Sequence, residues 1–326
     1  MPVKRIDLRN LVFSYGFYFV LLLVIIIYSL AAPSFLTVSN FANIFHHSSA
    51  LLVIASGLTL VIMTGSLDIS VGAAAFVSAA AGVSLVSAYQ LPTLAGILLI
   101  LLIGGAVGCL NAFLITILKI NPLITTLGVM IALRGAGLHI LGGAQKYIPD
   151  ALRDFANIKI GPFFVDIVIA VTIAAILHFV LVRTTFGRHL SAIGNSPDIA
   201  DRLGINVRKT MFFVFVLSGF MAAIGGILAI MVIGNVNTYI GQGLEFTAVA
   251  AVVLGGTSLF GGEGSVIPGT LMGVFTLIVI ENGLNLIGAS PFIYPFVRGI
   301  IIFTAMYADS LKTQVRSQVR AATQES

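Results

Sequence analysis

From Ile69 to Leu118 the chain runs fifty residues without one Asp, Glu, Lys or Arg, and Asn10 to Leu67 carries none either. Only Asp68 separates the two runs. A helix needs about 20 mostly apolar residues to cross a bilayer, so each run holds more than one span. The rest of the chain follows suit: 58% of its 326 residues are hydrophobic and 9% are charged, against about 25% charged in soluble domains. Its 17 basic and 12 acidic side chains cannot coat a water-facing globule. Disorder needs the opposite balance, low hydrophobicity with high charge. An outer-membrane barrel would read as alternating segments of about ten residues, not long uniform runs. The expected fold is an all-α polytopic membrane protein whose solvent is mostly the lipid bilayer.

Ten spans are expected, near 13–32, 49–65, 72–89, 93–118, 122–141, 163–182, 210–233, 245–261, 266–287 and 291–308. Tyr89-Gln90-Leu91-Pro92 divides the longest run, and Pro33, Pro122, Pro162 and Pro291 sit at span ends, as proline's restriction of its neighbour requires. The uncharged stretch Leu11 to Phe35 exceeds a signal-peptide core of about 7–15 residues and reads as a retained span. Charge then tests the count. With the amino terminus inside, the inner segments collect Lys4, Arg5, Arg9, Lys119, Arg183, Arg188, Arg202, Arg208, Lys209, Lys312, Arg316 and Arg320. The outer segments hold only Lys146, Arg153 and Lys159. Twelve against three is a strong positive-inside bias and puts both termini in the cytoplasm. The same bias accounts for the net charge of +5 without nucleic acid as a partner, and no basic run with interleaved aromatics occurs.

The 326 residues read as a single transmembrane domain, with hydrophilic stretches at 142–162 outside and 183–209 inside. In the second, Ser196-Pro197-Asp198 is a helix start: a hydroxyl cap, proline at the first position and an acid in the first turn. Ile199, Ala200 and Leu203 offer that short helix an apolar face. It is either a solvated connector or a docking element for a cytoplasmic partner.

Two glycine-rich stretches break the helices, Gly65-Ser66-Leu67-Asp68-Ile69-Ser70-Val71-Gly72 and Gly255-Gly256-Thr257-Ser258-Leu259-Phe260-Gly261-Gly262-Glu263-Gly264. Backbone freed from a helix at membrane depth must be buried in protein or line a cavity. Paired interruptions of this kind point to a transport path. Close helix packing is the simpler account of the glycines, with Gly104/Gly108 and Gly269/Gly273 as small-xxx-small pairs. Packing does not account for Asp68 at such a break. Asp68, Arg134, Glu245, Glu281 and Arg298 lie in or near spans, where each must find a partner, a cavity or the interface. Ser66, Ser70, Asn111, Thr257, Ser258, Asn282 and Asn285 are further polar candidates at depth. Each is either a structural tie or a solute contact.

The chemistry the chain lacks is equally informative. No Gly-Lys dipeptide occurs, so there is no phosphate-binding GxxxxGK[ST] loop. Cys109 is the only cysteine, which excludes a disulfide within the chain and a cysteine-type zinc site. His46-His47 has no acid cluster beside it in sequence, so no metal site is expected. No Ser/His/Asp or HExxH arrangement points to a catalytic residue. Scattered acids argue against a proton relay.

Taken together the motifs resemble the membrane-spanning permeases of bacterial ABC sugar importers, the ribose-type branch. The resemblance rests on the first glycine break (a GGxDLSVG-like pattern), Asn111-Ala112-Phe113-Leu114-Ile115, Ile120-Asn121-Pro122-Leu123-Ile124-Thr125-Thr126-Leu127-Gly128, Arg134-Gly135, Thr185-Phe186-Gly187-Arg188, Ala192-Ile193-Gly194-Asn195, Gly204-Ile205, and Glu245 followed by the second break. The chain departs from that pattern at Ser66, where a second glycine is common, and at Glu281, where a smaller polar residue is usual. The resemblance implies a bacterial inner-membrane importer with a second permease chain, a cytoplasmic ABC ATPase subunit and a periplasmic sugar-binding protein. No cofactor would be bound by this chain; ATP and Mg would sit on the ATPase. Residues 183–209 become the coupling loop, with Gly187, Arg188, Gly194, Asn195, Pro197, Ala200 and Gly204 as its candidate residues. The expected activity is import of a monosaccharide by alternating access, with selectivity resting largely on the binding protein and a weakly polar cavity in the permease. The rival readings are a stand-alone carrier or channel for a small polar solute, a membrane-embedded enzyme, and a scaffold.

Overall fold

The computed structural model describes residues 8–290, 292–304, 306–307 and 310, with side chains from residue 19 onward apart from residue 20. The expected inner charges Lys4, Arg5, Lys312, Arg316 and Arg320 lie outside the described residues, as does the side chain of Arg9.

The chain is a helical bundle. Its elements are α1 (Leu8–Ala31), α2 (Val38–Met63), α3 (Val71–Tyr89), α4 (Thr93–Thr116), α5 (Pro122–Leu141), α6 (Asp150–Ala156), α7 (Val165–Arg183), α8 (Thr185–Asn195), α9 (Pro197–Arg202), α10 (Val207–Ile233), α11 (Leu244–Leu254) and α12 (Leu271–Leu286). A final apolar helix, α13, covers Ile293–Thr304. Among the described residues seven helices are long and apolar enough to cross a membrane: α2, α3, α4, α5, α7, α10, and α12 with the π-helical turn Val266–Thr270 that precedes it. Each of the ten expected spans has a helix, but not all are full spans. The one expected over 245–261 is the 11-residue α11. At 1.5 Å per residue it covers about half of a ~30 Å hydrocarbon core. Its carboxyl end is fixed by Gly255, where the second glycine break begins.

Four two-residue strands complete the fold. β1 (Lys146–Tyr147) pairs antiparallel with β4 (Asn235–Val236), and β2 (Lys159–Ile160) with β3 (Phe163–Phe164). They gather the 142–162 and 234–243 connections at one end of the bundle, the strand end. The opposite end carries α8 and α9. There Thr116 and Ile117 come to the same crevice as Asn206 and Arg208, so the α4–α5 turn and the 183–209 segment share a side.

The core sits where small residues let backbones approach. A side chain at Gly104 would meet Ala223 and the Gly219 carbonyl; one at Gly219 would meet Gly104 and Gly108. The expected role of Gly104/Gly108 as a packing seam is met, with α10 the partner helix. α2 is the central element, and every residue from Ser48 to Met63 is buried. α5 is the converse: Ile124 and Ile131 are exposed, and a side chain at Gly128 or Gly135 would meet nothing in this chain.

Candidate functional site: a polar cavity and a glycine clamp

Helix starts place the first break. α2 ends at Thr64, and Asp68 then folds the chain back. Asp68 is 2% exposed. One carboxylate oxygen accepts from the Ser70 backbone N–H (3.0 Å) and the Ser70 hydroxyl (2.6 Å), and the other accepts from the Ser218 hydroxyl of α10 (2.8 Å). Ser70 in turn accepts from Asn111 Nδ2 of α4 at 2.8 Å. Thr126 of α5 closes the other flank by accepting from the Ile69 N–H at 3.2 Å. So Asp68, Ser70 and Asn111 form one buried network that ties the break to three helices. Asp68 pairs with neither Arg134 nor Arg298, the cations available at depth. Arg134 Nη1 instead donates to the Ile240 carbonyl (2.7 Å), and its guanidinium lies 4.8 Å from the centre of the Phe76 ring. Arg134 and Glu245 face the same small cavity of about 240 Å³.

The second break meets the first at the α8–α9 end. The Gly262 N–H donates to the Met63 carbonyl at 2.9 Å, joining the two breaks backbone to backbone. Gly194 near the end of α8 is wedged against both. A methyl there would overlap the Met63 carbonyl and the Gly262 nitrogen. Gly262 (φ +80°) lies face to face with the Asn195 carboxamide, so glycine is required for both its conformation and its closeness. Ser66, Thr257 and Ser258 are buried in this clamp and do not line a cavity at the strand end. The 183–209 segment is two helices where one was expected. α8 is amphipathic, with Gly187, Leu190 and Ile193 buried and Arg188 and Asn195 exposed. α9 starts as expected, Ser196 Oγ accepting from the Ile199 N–H at 3.4 Å with Pro197 at its first turn. Its Ala200 packs inward, while Ile199 and Leu203 are exposed. Gly204 ends the turn at φ +82°.

At the strand end α2, the 234–244 connection, α11, α12 and α13 enclose a cavity of about 770 Å³. Of the polar residues expected at depth, Glu281, Asn282, Asn285 and Arg298 line it, while Asp68, Ser70, Asn111, Arg134 and Glu245 do not. Asn282 and Asn40 form a reciprocal amide pair, Asn40 Nδ2 donating at 3.0 Å and Asn282 Nδ2 at 2.9 Å. Arg298 Nε donates to Glu281 Oε1 at 2.6 Å on the same wall. Asn43, His47, Asn237, Tyr239, Gln242, Thr247, Asn285 and Tyr294 complete the polar lining. Polar side chains are denser here than in the weakly polar cavity that the resemblance implies. Glu281, Asn285 and Arg298 carried a sequence signal as polar groups at depth. Asn40, Asn43, Asn237, Gln242 and Tyr294 carried none.

Behind His47, His46 Nδ1 lies 3.0 Å from Asp166 Oδ2, and its ring stacks on Phe164 at 4.1 Å. The acid absent from the sequence neighbourhood of His46 thus arrives from α7. Among the described residues no group of three or more His, Cys, Asp or Glu side chains could hold a metal ion.

Comparison with known proteins gives the architecture a family. Residues 40–306 match the model of the branched-chain amino acid transport system / permease component family. The chain is 34% identical to the probable ABC transporter permease protein YphD of Escherichia coli K12, over 97% of this chain and 96% of that one. It is 33% identical to the ribose import permease protein RbsC of the same strain, over 90% and 92%. It is 34% identical to the galactose/methyl galactoside import permease protein MglC of Haemophilus influenzae, over 90% and 93%. No solved structure matches the chain. The chain belongs to the branched-chain amino acid transport system / permease component family, and is a multi-pass membrane protein of that family.

Proposed function

We propose that this chain is the permease subunit of an ATP-driven bacterial inner-membrane importer that carries a monosaccharide inward by alternating access. The observation that carries the proposal is the continuity of α2. One end of this helix, at Met63, is gripped by Gly194 and Gly262; the other, at Asn40, Asn43 and His47, forms a cavity wall. Between them lies an unbroken buried stretch. A displacement of α8 therefore moves a rigid lever that ends in the cavity. Small shifts of packed helices between two arrangements are how such devices exchange access.

In this reading α8 and α9 are the coupling element, placed in the cytoplasm with both termini, and the strand end faces the periplasm. A separate ATPase subunit holds ATP and Mg and presses on the exposed face of α9. A periplasmic binding protein delivers sugar to the cavity mouth, as the ribose and galactose names of two relatives suggest. Beyond the cavity, Leu52–Met63 of α2 are buried throughout, which supports reading the conformation as outward-open. A second permease chain is supported by the bare face of α5.

The test is reconstitution in liposomes with an ABC ATPase and a sugar-binding protein from the same organism. Uptake of a monosaccharide that needs ATP and all three proteins is expected. Uptake by the permease alone, driven by an ion gradient or by the sugar gradient, would replace the importer with a stand-alone carrier or channel.

A further inference from the structure

The lining of the large cavity is more selective than a passage requires. Six carboxamides face it: Asn40, Asn43, Asn237, Gln242, Asn282 and Asn285. A carboxamide both donates and accepts, and so does a hydroxyl, so an amide wall matches a polyhydroxylated solute in whichever orientation it enters. An amide's two polar ends also lie at a spacing that can bridge neighbouring hydroxyls. Charge is handled differently. Glu281 and Arg298 are the carboxylate and guanidinium in the lining, and they engage each other at 2.6 Å. An anionic solute would meet an arginine already neutralised, and a cationic solute a carboxylate already engaged. Either would lose hydration without gaining a free counter-charge from that pair. The Asn40–Asn282 pair is neutral, so its two bonds can be exchanged for bonds to hydroxyls at little net cost. A volume of about 770 Å³ falls among small-molecule sites, ~300–1,000 Å³.

We infer that the permease carries its own binding site for a neutral polyhydroxylated solute, built on this amide wall, which rejects sugar phosphates and sugar acids independently of any binding protein. The inference rests on the proposed transport role but assigns selectivity to this chain. The site is shallow in affinity by design, since a transit site must release what it takes.

The experiment is ligand-observed NMR on the purified permease in lipid nanodiscs, without ATPase or binding protein. The probes are D-ribose, D-galactose and myo-inositol, against ribose 5-phosphate and galacturonate. At least one neutral probe is expected to give a saturable signal, and the charged probes at least tenfold less. Asn43→Ala and Asn285→Ala, which leave the Asn40–Asn282 pair intact, are expected to weaken the neutral signal at least fivefold with an unchanged melting temperature. Asn282→Ala should weaken the signal too, with a lower melting temperature because buried Asn40 loses its partner, and Glu281→Gln should admit the anionic probes by freeing Arg298. No saturable signal from any neutral probe would overturn the site. Equal signals from charged and neutral probes, or signals indifferent to both Asn43→Ala and Asn285→Ala, would do so too. These outcomes are separate from the importer reading. ATP-dependent uptake with no binding to the permease alone sinks only the site, while binding without ATP-dependent uptake sinks only the importer.

Discussion

Asp68 is an acid held by hydroxyls and backbone rather than by a cation. Its carboxylate accepts three hydrogen bonds, two from Ser70 and one from Ser218, and Asn111 completes the set behind Ser70. Removing it strands a buried hydroxyl on α10 and unties the start of α3. Stranded buried donors cost about 1–3 kcal/mol each, so Asp68→Ala should lower stability by about 2–5 kcal/mol and abolish uptake. Asp68→Asn keeps one acceptor oxygen and should fall between. Thermal unfolding in nanodiscs, read beside uptake in the reconstituted system, checks both. An Asp68→Ala protein as stable and active as the parent would remove the network from the account. The partner of Asp68 could not be read from sequence, because Ser218 stands 150 residues away and serine is unremarkable inside a helix. Gly194 is a residue-scale case of the opposite kind. Its place in the 183–209 segment was singled out through the resemblance, but the helix that carries it was not expected, and its reason, contact with the Met63 carbonyl and Gly262, is tertiary. Gly194→Ala should insert normally yet lose at least tenfold in ATP-driven uptake, because the wedge separates the two breaks. Full uptake by that variant, with normal membrane levels, would mean the clamp does not transmit motion.

At the scale of elements, α9 shows two faces with different duties. Ala200 is 1% exposed and packs toward α10, whereas Leu203 is 74% and Ile199 59% exposed. These last two stand four residues apart, hence on one face of the helix. If an ATPase docks here, Leu203→Asp should abolish its co-purification and cut ATP-driven uptake at least tenfold while the melting temperature stays put. Ala200→Asp should lower the melting temperature as well, since it buries an unpaired charge. Retained co-purification by the Leu203→Asp protein would move the docking face elsewhere. Hydropathy located the helices because lipid rewards uniform apolar runs, yet it misplaced two boundaries for physical reasons. The start of α2 lies at Val38, not near 49, because Asn40, His46 and His47 dilute the apolar signal. A helix turned toward a polar cavity loses the very signature by which spans are found, so the cavity wall was the least legible part of the site. α11 errs in the other direction. Gly255 to Gly261 is apolar enough to extend a span, but Gly256 and Gly261 take positive φ and the chain leaves the helix.

The molecule as a whole leaves one face of a long helix without a partner: α5 packs on α3, and its opposite stripe is bare. Within its most apolar window α5 is 17% buried, against 83% for α2. Lipid alone could cover exposed Ile124 and Ile131, but Gly128 and Gly135 on the same stripe bury nothing against lipid and mark a surface where another backbone can come close. Ile131 and Gly135 also edge the small cavity that Arg134 and Glu245 face, so a neighbour on α5 would close that cavity. A second copy of this permease is the occupant the proposed importer calls for. Cys109 is the only native cysteine, so a Cys109→Ser background is clean for cross-linking. On it, Gly128→Cys and Gly135→Cys are expected to give disulfide-linked dimers in native membranes under mild oxidation, since bridging needs Cα atoms within about 7 Å. Leu102→Cys, on an exposed lipid-facing position of α4, should give at least tenfold less. The cross-linked dimer should stop ATP-driven uptake and a reductant should restore it, because alternating access requires the two copies to rock against each other. Equal cross-linking from Leu102 and from the α5 glycines would report random collision in the bilayer, and the pairing of two permease chains through α5 would fall.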